Sequence, residues 1–227
     1  LFGKERVLSQ PAAQAYYDRF GEKQDSQGFY EDPALDDLTA HADFRDTQSV
    51  FEFGCGTGKF AARLLESHLP SSATYLACDI SPVMIDLAKR RLATYGERAQ
   101  VALSDGAVRF PCPDHSVDRV VSTYVLDLLS ESDIRRCFSE ARRVLIPGGE
   151  LCIASLTRGV NFLSRIISSL WMSIFRLKPS IVGGCRPICL DSFVDPQEWR
   201  VVHKRVVTPF GVPSEVLILA SGMTPNK

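Results

Sequence analysis

The sequence predicts an α/β fold: a mostly parallel sheet with helices on both faces, closed by an antiparallel pair. Three observations carry this. From Gln48 onward, short apolar runs alternate with helical patterns, the signature of βαβ units. One run leads into Gly54-Cys55-Gly56-Thr57-Gly58, a glycine-rich turn from which a helix starts at once. The last two extended segments, 198–207 and 215–220, read as an antiparallel pair. A chain of 227 residues, 45% hydrophobic and 23% charged, has the composition of a folded globular domain.

The elements follow in order. Residues 1–46 are polar and aromatic and predict a helical cap, with helices over 12–20 and 33–42. A buried strand over 49–53 feeds a helix over 57–68, and a second strand covers 73–78. The helix over 81–95 is well punctuated: Ser81 suits its N-cap, Pro82 its first position and Gly96 its stop. Strands over 100–103 and 117–123 come next. The helix over 132–145 sets Ile134, Phe138, Ala141 and Leu145 on one side. Pro147-Gly148-Gly149 turns the chain into a strand over 150–155. The expected organisation is a cap (1–46), a core (47–157) and a substrate-side helix and loop with the closing strands (158–227), all in one domain.

Segment 160–177 carries apolar residues at helical spacing, opposed by a stripe of arginines, serines and an asparagine. That stripe is too polar for a membrane span. The expected role is a helix docked on the domain over a substrate pocket. Peripheral membrane contact is the alternative, because Phe162, Trp171, Met172 and Phe175 widen the apolar face.

Formal net charge is −1, so no electrostatic footprint for nucleic acid is visible and no such partner is expected. The seven cysteines are odd in number, and Cys78 and Cys152 sit in apolar runs, as reduced thiols would. Cys185 and Cys189 have no nearby histidine, and His41, His68 and His203 have no partners at metal spacing, so no metal is expected. The chain begins at Leu1 rather than a methionine, so its natural start is expected to lie outside this sequence, and the visible N-terminus has no apolar signal core. The expected location is the cytoplasm.

The chemistry concentrates at the ends of three strands. Glycines at 54, 56 and 58 let the backbone turn sharply and lie against a ligand, and the following helix offers free N–H groups. The spacing is GxGxG rather than the GxGxxG of dinucleotide enzymes, with the acid Glu52 two residues before it. Asp79 ends the second strand, where a carboxylate can accept from both ribose hydroxyls of an adenosine ligand. Ser104-Asp105-Gly106 follows the third strand, with Asp105 placed for an exocyclic adenine amine. Each feature has a plainer reading: a tight turn, a helix N-terminal charge, an Asp-Gly turn.

Together, Glu52 with GxGxG, Asp79, Asp105-Gly106 and Val144-Leu145-Ile146-Pro147-Gly148-Gly149 resemble the class I S-adenosylmethionine-dependent methyltransferases. The resemblance is closest to the ubiquinone/menaquinone-biosynthesis group and covers residues 49–155. It implies a Rossmann-like, seven-stranded sheet with an antiparallel last strand. It also implies S-adenosylmethionine as cofactor. Glu52 and the loop of Gly54, Cys55, Gly56 and Gly58 would hold the methionine part, Asp79 the ribose, and Ile80 with Asp105 and Gly106 the adenine. Ser122 and Thr123 would lie under the transferable methyl. Relatives often carry an acid-containing stretch where this chain has Ala107-Val108-Arg109-Phe110-Pro111, and a histidine near Asp127.

A sulfonium methyl is already activated, so alignment supplies most of the rate, and a base is needed only if the acceptor must lose a proton. Tyr124 and Asp127, after the fourth strand, are the catalytic candidates. His115 reads as a solvated loop residue, and Tyr16, Tyr17 and Phe20 as a lid or a core face. The expected substrate is a small, apolar methyl acceptor. The alternatives are an S-adenosylmethionine-binding partner protein without turnover and a nicotinamide-dependent reductase.

Overall fold

The computed structural model describes residues 7–222. Seven strands form one sheet in the order β3-β2-β1-β4-β5-β7-β6. They are β1 (Ser49–Phe53), β2 (Thr74–Asp79), β3 (Ala99–Leu103), β4 (Val117–Thr123), β5 (Leu145–Leu156), β6 (Trp199–Val207) and β7 (Ser214–Ser221). The first five strands pair in parallel, while β7 runs antiparallel between β5 and β6. This is the expected Rossmann-like sheet, and its antiparallel insertion matches the closing pair read from the sequence.

Six helices surround the sheet: α1 (Gln10–Phe20), α2 (Gly28–His41), α3 (Lys59–Ser67), α4 (Pro82–Leu92), α5 (Glu131–Val144) and α6 (Phe162–Leu177). Central strands are apolar on both faces because each face meets helices. On one face Phe51, Val120 and Leu219 pack with Ile134 and Phe138 of α5 and with Trp199. On the other, Val50, Tyr75 and Val121 pack with Leu38, Leu64 and Leu92 of α2, α3 and α4. Cys78 and Cys152 fill space inside these layers, and all seven cysteines are free.

Helix ends follow the punctuation. The Ser81 hydroxyl accepts from the Met84 N–H at the start of α4, and Ser130 accepts from Asp133 N–H at the start of α5. Asn161 and Ser164 form a reciprocal capping box at α6. The second cap helix is longer than the predicted 33–42. It starts at Gly28 and carries Pro33 one turn in, where only one backbone bond is forfeited. Burial of Tyr30, Ala34, Leu35 and Leu38 outweighs that loss.

Strand order reverses between β1 and β4, and the carboxyl ends of α/β strands at such a switch point open a crevice. The loops after β1, β2, β3 and β4 all reach that rim, and the cap covers it. Helix α6 lies against Tyr30, Leu156 and Val212 through Ile167 and Trp171. Its outer face leaves Phe162, Leu163, Ile166, Leu170 and Leu177 exposed. No helix among the described residues is long and apolar enough to cross a membrane.

Candidate active site

A cleft of about 970 Å³, part of it open to solvent, runs along the strand tips. Gly54 and Gly56 line it after β1, Asp79 and Ile80 after β2, Ser104 and Gly106 after β3, and Thr123 and Tyr124 after β4. Its size suits a small-molecule cofactor.

The glycine turn is built by backbone bonds. Gly54 and Cys55 both donate to the Cys78 carbonyl, at 2.8 and 3.0 Å, which fuses the turn to the end of β2. Gly54 has φ +81°, and a Cβ there would lie 2.3 Å from Val125 Cγ2. Only glycine satisfies both conditions. Gly58, at φ +73°, does a different job from the one expected. A Cβ there would sit 3.0 Å from Ala88, so its bareness lets α3 pack on α4, away from the ligand face.

Asp79 organises the neighbourhood. One carboxylate oxygen accepts from Gly56 N–H and the other from Ser81 N–H, each at 2.9 Å. Burial raises its pKa, and those bonds act in the opposite direction. The remaining lone pairs can still take ribose hydroxyls.

Four expected residues sit differently from the reading. Asp105 is exposed and caps its own turn, accepting from Ala107 N–H at 2.9 Å, so Ser104 and Gly106 rather than its carboxylate face the cleft. Ser122 is buried and donates to the Phe53 carbonyl at 3.2 Å; it braces β1 against β4 while Thr123 faces the cleft. Tyr124, at φ +56°, lines the cleft but donates its hydroxyl to Ser214 at 2.9 Å, and burial raises its pKa. It is a wall rather than a base. Asp127 is wholly buried behind the cleft lining, and no side chain gives its carboxylate a hydrogen bond. Burial raises its pKa to about 7, with the backbone N–H groups of Asp127 and Leu156 and the charge of Arg186 acting the other way. His115 stands before β4, at the opposite rim, with its ring on the Leu145 carbonyl.

Glu52 lines a smaller cavity with Cys55, Gln24, Glu31 and Lys59, which shares the walls Gly54, Thr123 and Tyr124 with the cleft. It is fully buried and accepts a single bond, from Tyr75 at 2.9 Å; burial lifts its pKa to about 8. Burial lifts Glu31 to about 7. Two desolvated acids at one end of a cleft suit a cationic group, because a positive charge would restore their ionised forms.

The cap supplies contacts that sequence reasoning missed. The Gln10 amide donates to the Gly106 carbonyl, Ser81 donates to Asp18 at 2.5 Å, and Thr57 donates to Asp25 at 2.6 Å. Arg91 joins Asp25 and Thr57, each at 2.6 Å. Burial opposes ionisation of Asp25, but bonds from Arg91 and Thr57 outweigh it and hold its pKa low. Lys59 pairs with Asp32 at 2.9 Å. Gln24 places its amide over Gly56 and keeps a buried Oε1 without a partner. Acids and amides at irregular spacing in 10–32 were the available signal.

One cluster lies away from the cleft. His203 meets Asp37 at 2.7 Å, Arg205 meets the other Asp37 oxygen at 2.9 Å, and the His41 and His203 rings stack at 3.7 Å. Asp37, His41 and His203 lie within metal-ligand reach of one another, against the expectation from spacing, since strand β6 delivers His203 to α2. Asp37 is already satisfied by His203 and Arg205.

A family described as "Methyltransferase domain" matches residues 50–149. Residues 50–149 are a methyltransferase domain. The fold is that of the class I methyltransferases, and S-adenosylmethionine is the cofactor the domain takes. The glycine cradle, the spare lone pairs of Asp79 and the acidic cavity fit that group. Similar curated proteins include the tRNA N(3)-cytidine methyltransferase METTL2 of Danio rerio, 29% identical over 112 residues, which are 48% of this chain and 32% of that protein. The ubiquinone/menaquinone biosynthesis C-methyltransferase UbiE of Bordetella avium is 32% identical over 117 residues, 52% of this chain and 44% of that protein. The chain thus spans less than half the length of either relative. Among solved structures, a Haloferax volcanii complex of the Trm112 methyltransferase activator with a methyltransferase superposes with TM-score 0.72 and 14% identity, over 95% of this chain and 100% of that one. That likeness concerns the fold.

The expectation of no nucleic-acid partner does not stand, because tRNA methyltransferases are among the similar proteins. A net charge of −1 averages over a segregated chain. Residues 157–190 hold Arg158, Arg165, Arg176, Lys178 and Arg186 and no acid. The nicotinamide alternative gives way to the methyltransferase match.

Proposed function

We propose that the whole chain is an S-adenosylmethionine-dependent methyltransferase acting on a small molecule with an apolar body. The observation that carries this is a single cleft touching the tips of β1, β2, β3 and β4, with Asp79 at its centre and the acids Glu52 and Glu31 at one end. The cofactor supplies an activated methyl group on a sulfonium sulfur. Glu52 and Glu31 accept its ammonium, Asp79 accepts the ribose hydroxyls, and Ile80 with Gly106 flanks the adenine. Thr123 and Tyr124 form the floor at the reacting end. The cap, latched through Asp18, Asp25 and Asp32, excludes water and fixes the acceptor's approach, which is where alignment yields rate. Seven free thiols support a reducing compartment, the cytoplasm.

An RNA acceptor is the second reading, favoured by the tRNA methyltransferases among the relatives and by the acid-free basic stretch 157–190. Incubation with methyl-labelled S-adenosylmethionine separates the two. Label is expected in an organic extract of apolar phenols and quinols. Label confined to total tRNA would replace the first reading with the second. Cofactor binding with no transfer to either pool would favour the partner-protein alternative.

A further inference from the structure

Helix α6 has two apolar faces, and the fold uses only one. The inner face meets Tyr30, Leu156 and Val212 through Ile167 and Trp171, and it buries Phe175. At about 3.6 residues per turn, Phe162, Leu163, Ile166, Leu170 and Leu177 fall within about 100° of arc on the outer side. Phe162 and Leu177 are 83% and 84% exposed, and Ile181, just past the helix end, is exposed too. A contiguous apolar patch of this kind marks a surface that something else covers.

A second element extends the patch. The turn Pro209–Gly211 is fastened to the start of α6, where Asn161 Nδ2 donates to Thr208 Oγ1 at 3.2 Å. A side-chain carbon at Gly211 would strike Ile167 and Leu163, so the bare glycine lets this turn press on the helix. Phe210 sits on the turn at φ +50°, a left-handed conformation unfavourable for a bulky residue, yet the residue is 75% exposed. Its ring touches Phe29 at 5.7 Å between centroids; Phe29 touches Tyr30 at 5.1 Å, and Tyr30 touches Tyr124 at 5.8 Å. An unbroken run of aromatic rings thus joins the surface patch to the wall of the cofactor cleft.

Charge identifies what covers the patch. Residues 157–190 contain no Asp or Glu. Arg165 and Arg176 lie along one edge of the apolar arc, and Arg158 and Lys178 stand just beyond the two helix ends, all four exposed. A ridge of Phe, Leu and Ile rimmed by cations complements a bilayer with anionic headgroups: the apolar tips enter the acyl boundary while the cations reach phosphates. RNA would use the cations but leave Leu163, Ile166 and Leu170 uncovered. A second copy related by a twofold axis would bring like charges together.

We propose that the outer face of α6, with Phe29 and Phe210, seats the protein on an anionic phospholipid surface, the helix lying in the plane of the interface. An apolar acceptor dissolved in the bilayer then reaches the reacting end along the aromatic run. That consequence rests on the methyltransferase reading above, whereas the docking itself does not.

Flotation of the full chain with vesicles tests the docking. One set is phosphatidylcholine alone; the other is equal parts phosphatidylcholine and phosphatidylglycerol. Binding to the anionic set is expected to be at least tenfold tighter and to weaken as salt is raised. Ile166→Ser with Leu170→Ser should weaken it at least tenfold while S-adenosylhomocysteine affinity stays within twofold. Phe162→Ser with Leu177→Ser serves the same purpose if the first pair does not fold. Arg158→Ser with Arg165→Ser should remove most of the preference for anionic vesicles. Absence of binding, equal binding to both sets, or binding indifferent to the serine replacements of the apolar residues would overturn the proposal. So would a solution dimer that those replacements dissociate, which gives the face to a second copy, or total-tRNA binding that they abolish, which gives it to RNA. No cofactor enters the flotation, so its failure leaves the methyltransferase reading standing. A chain that does not bind S-adenosylhomocysteine counts against that reading alone.

Discussion

Asp79→Ala is expected to lower S-adenosylhomocysteine affinity at least a hundredfold, measured by calorimetry, with the fold retained. Two losses add. The ribose hydroxyls lose a charged acceptor, at roughly 1.5–3 kcal/mol for each such bond. The variant also frees Gly56 N–H and Ser81 N–H, the bonds by which this carboxylate joins the glycine turn to the start of α4. Asp79→Asn separates the two effects. Its amide oxygen can keep one backbone bond, so its loss should be smaller. An affinity unchanged by Asp79→Ala would remove Asp79 from the site.

The second large effect is an unusual dependence of stability on pH. Burial raises the folded-state pKa of Glu52 to about 8 and of Glu31 and Asp127 to about 7. Unfolded carboxyls titrate near about 4. Between those limits the folded chain holds protons that the unfolded chain has released, so stability falls as pH rises. The loss begins above about pH 4 and is complete above about pH 8. For the ligand-free protein, going from pH 6 to 8.5 is expected to cost about 5 kcal/mol, or a fall in Tm of about 10–20 °C. Glu52→Gln should flatten the upper part of the profile. Saturating S-adenosylmethionine should stabilise more at pH 8.5 than at pH 6, because its ammonium favours the ionised acids. Asp25, Asp37 and Glu140 are held low and lose stability only below this window. A Tm that rises between pH 6 and 8.5 would contradict the buried-acid account.

The core of the fold was legible because its signals are local. Strands β1 and β4 coincide with the predicted 49–53 and 117–123, since their apolar runs end at glycines and polar turns. Ser81-Pro82 marked the start of α4 for an equally local reason. In the site, Gly54, Gly56, Asp79, Ile80 and Gly106 line the cleft as read, because a residue's place after a strand fixes its place on the rim.

What the sequence hid depends on side-chain direction or on distant partners. Successive strand residues face opposite sides, so Ser122 and Thr123 could be exchanged by a one-residue error in reading. Asp105 followed the usual preference of Asp-Gly for its own turn. Gln10, Gln24 and Asp25 reach Gly106, Gly56 and Thr57 across 96, 32 and 32 residues, and no periodicity announces such pairs. The same holds for His203 on Asp37, which is 166 residues away.

A crystal structure with S-adenosylhomocysteine bound would show whether the three strand tips grip one nucleoside. Both ribose hydroxyls are expected on the Asp79 carboxylate, the adenine between Ile80 and Gly106, and the amino-acid end in the cavity of Glu52 and Glu31. A nucleoside seated elsewhere, or turned so that Asp79 meets neither hydroxyl, would contradict it.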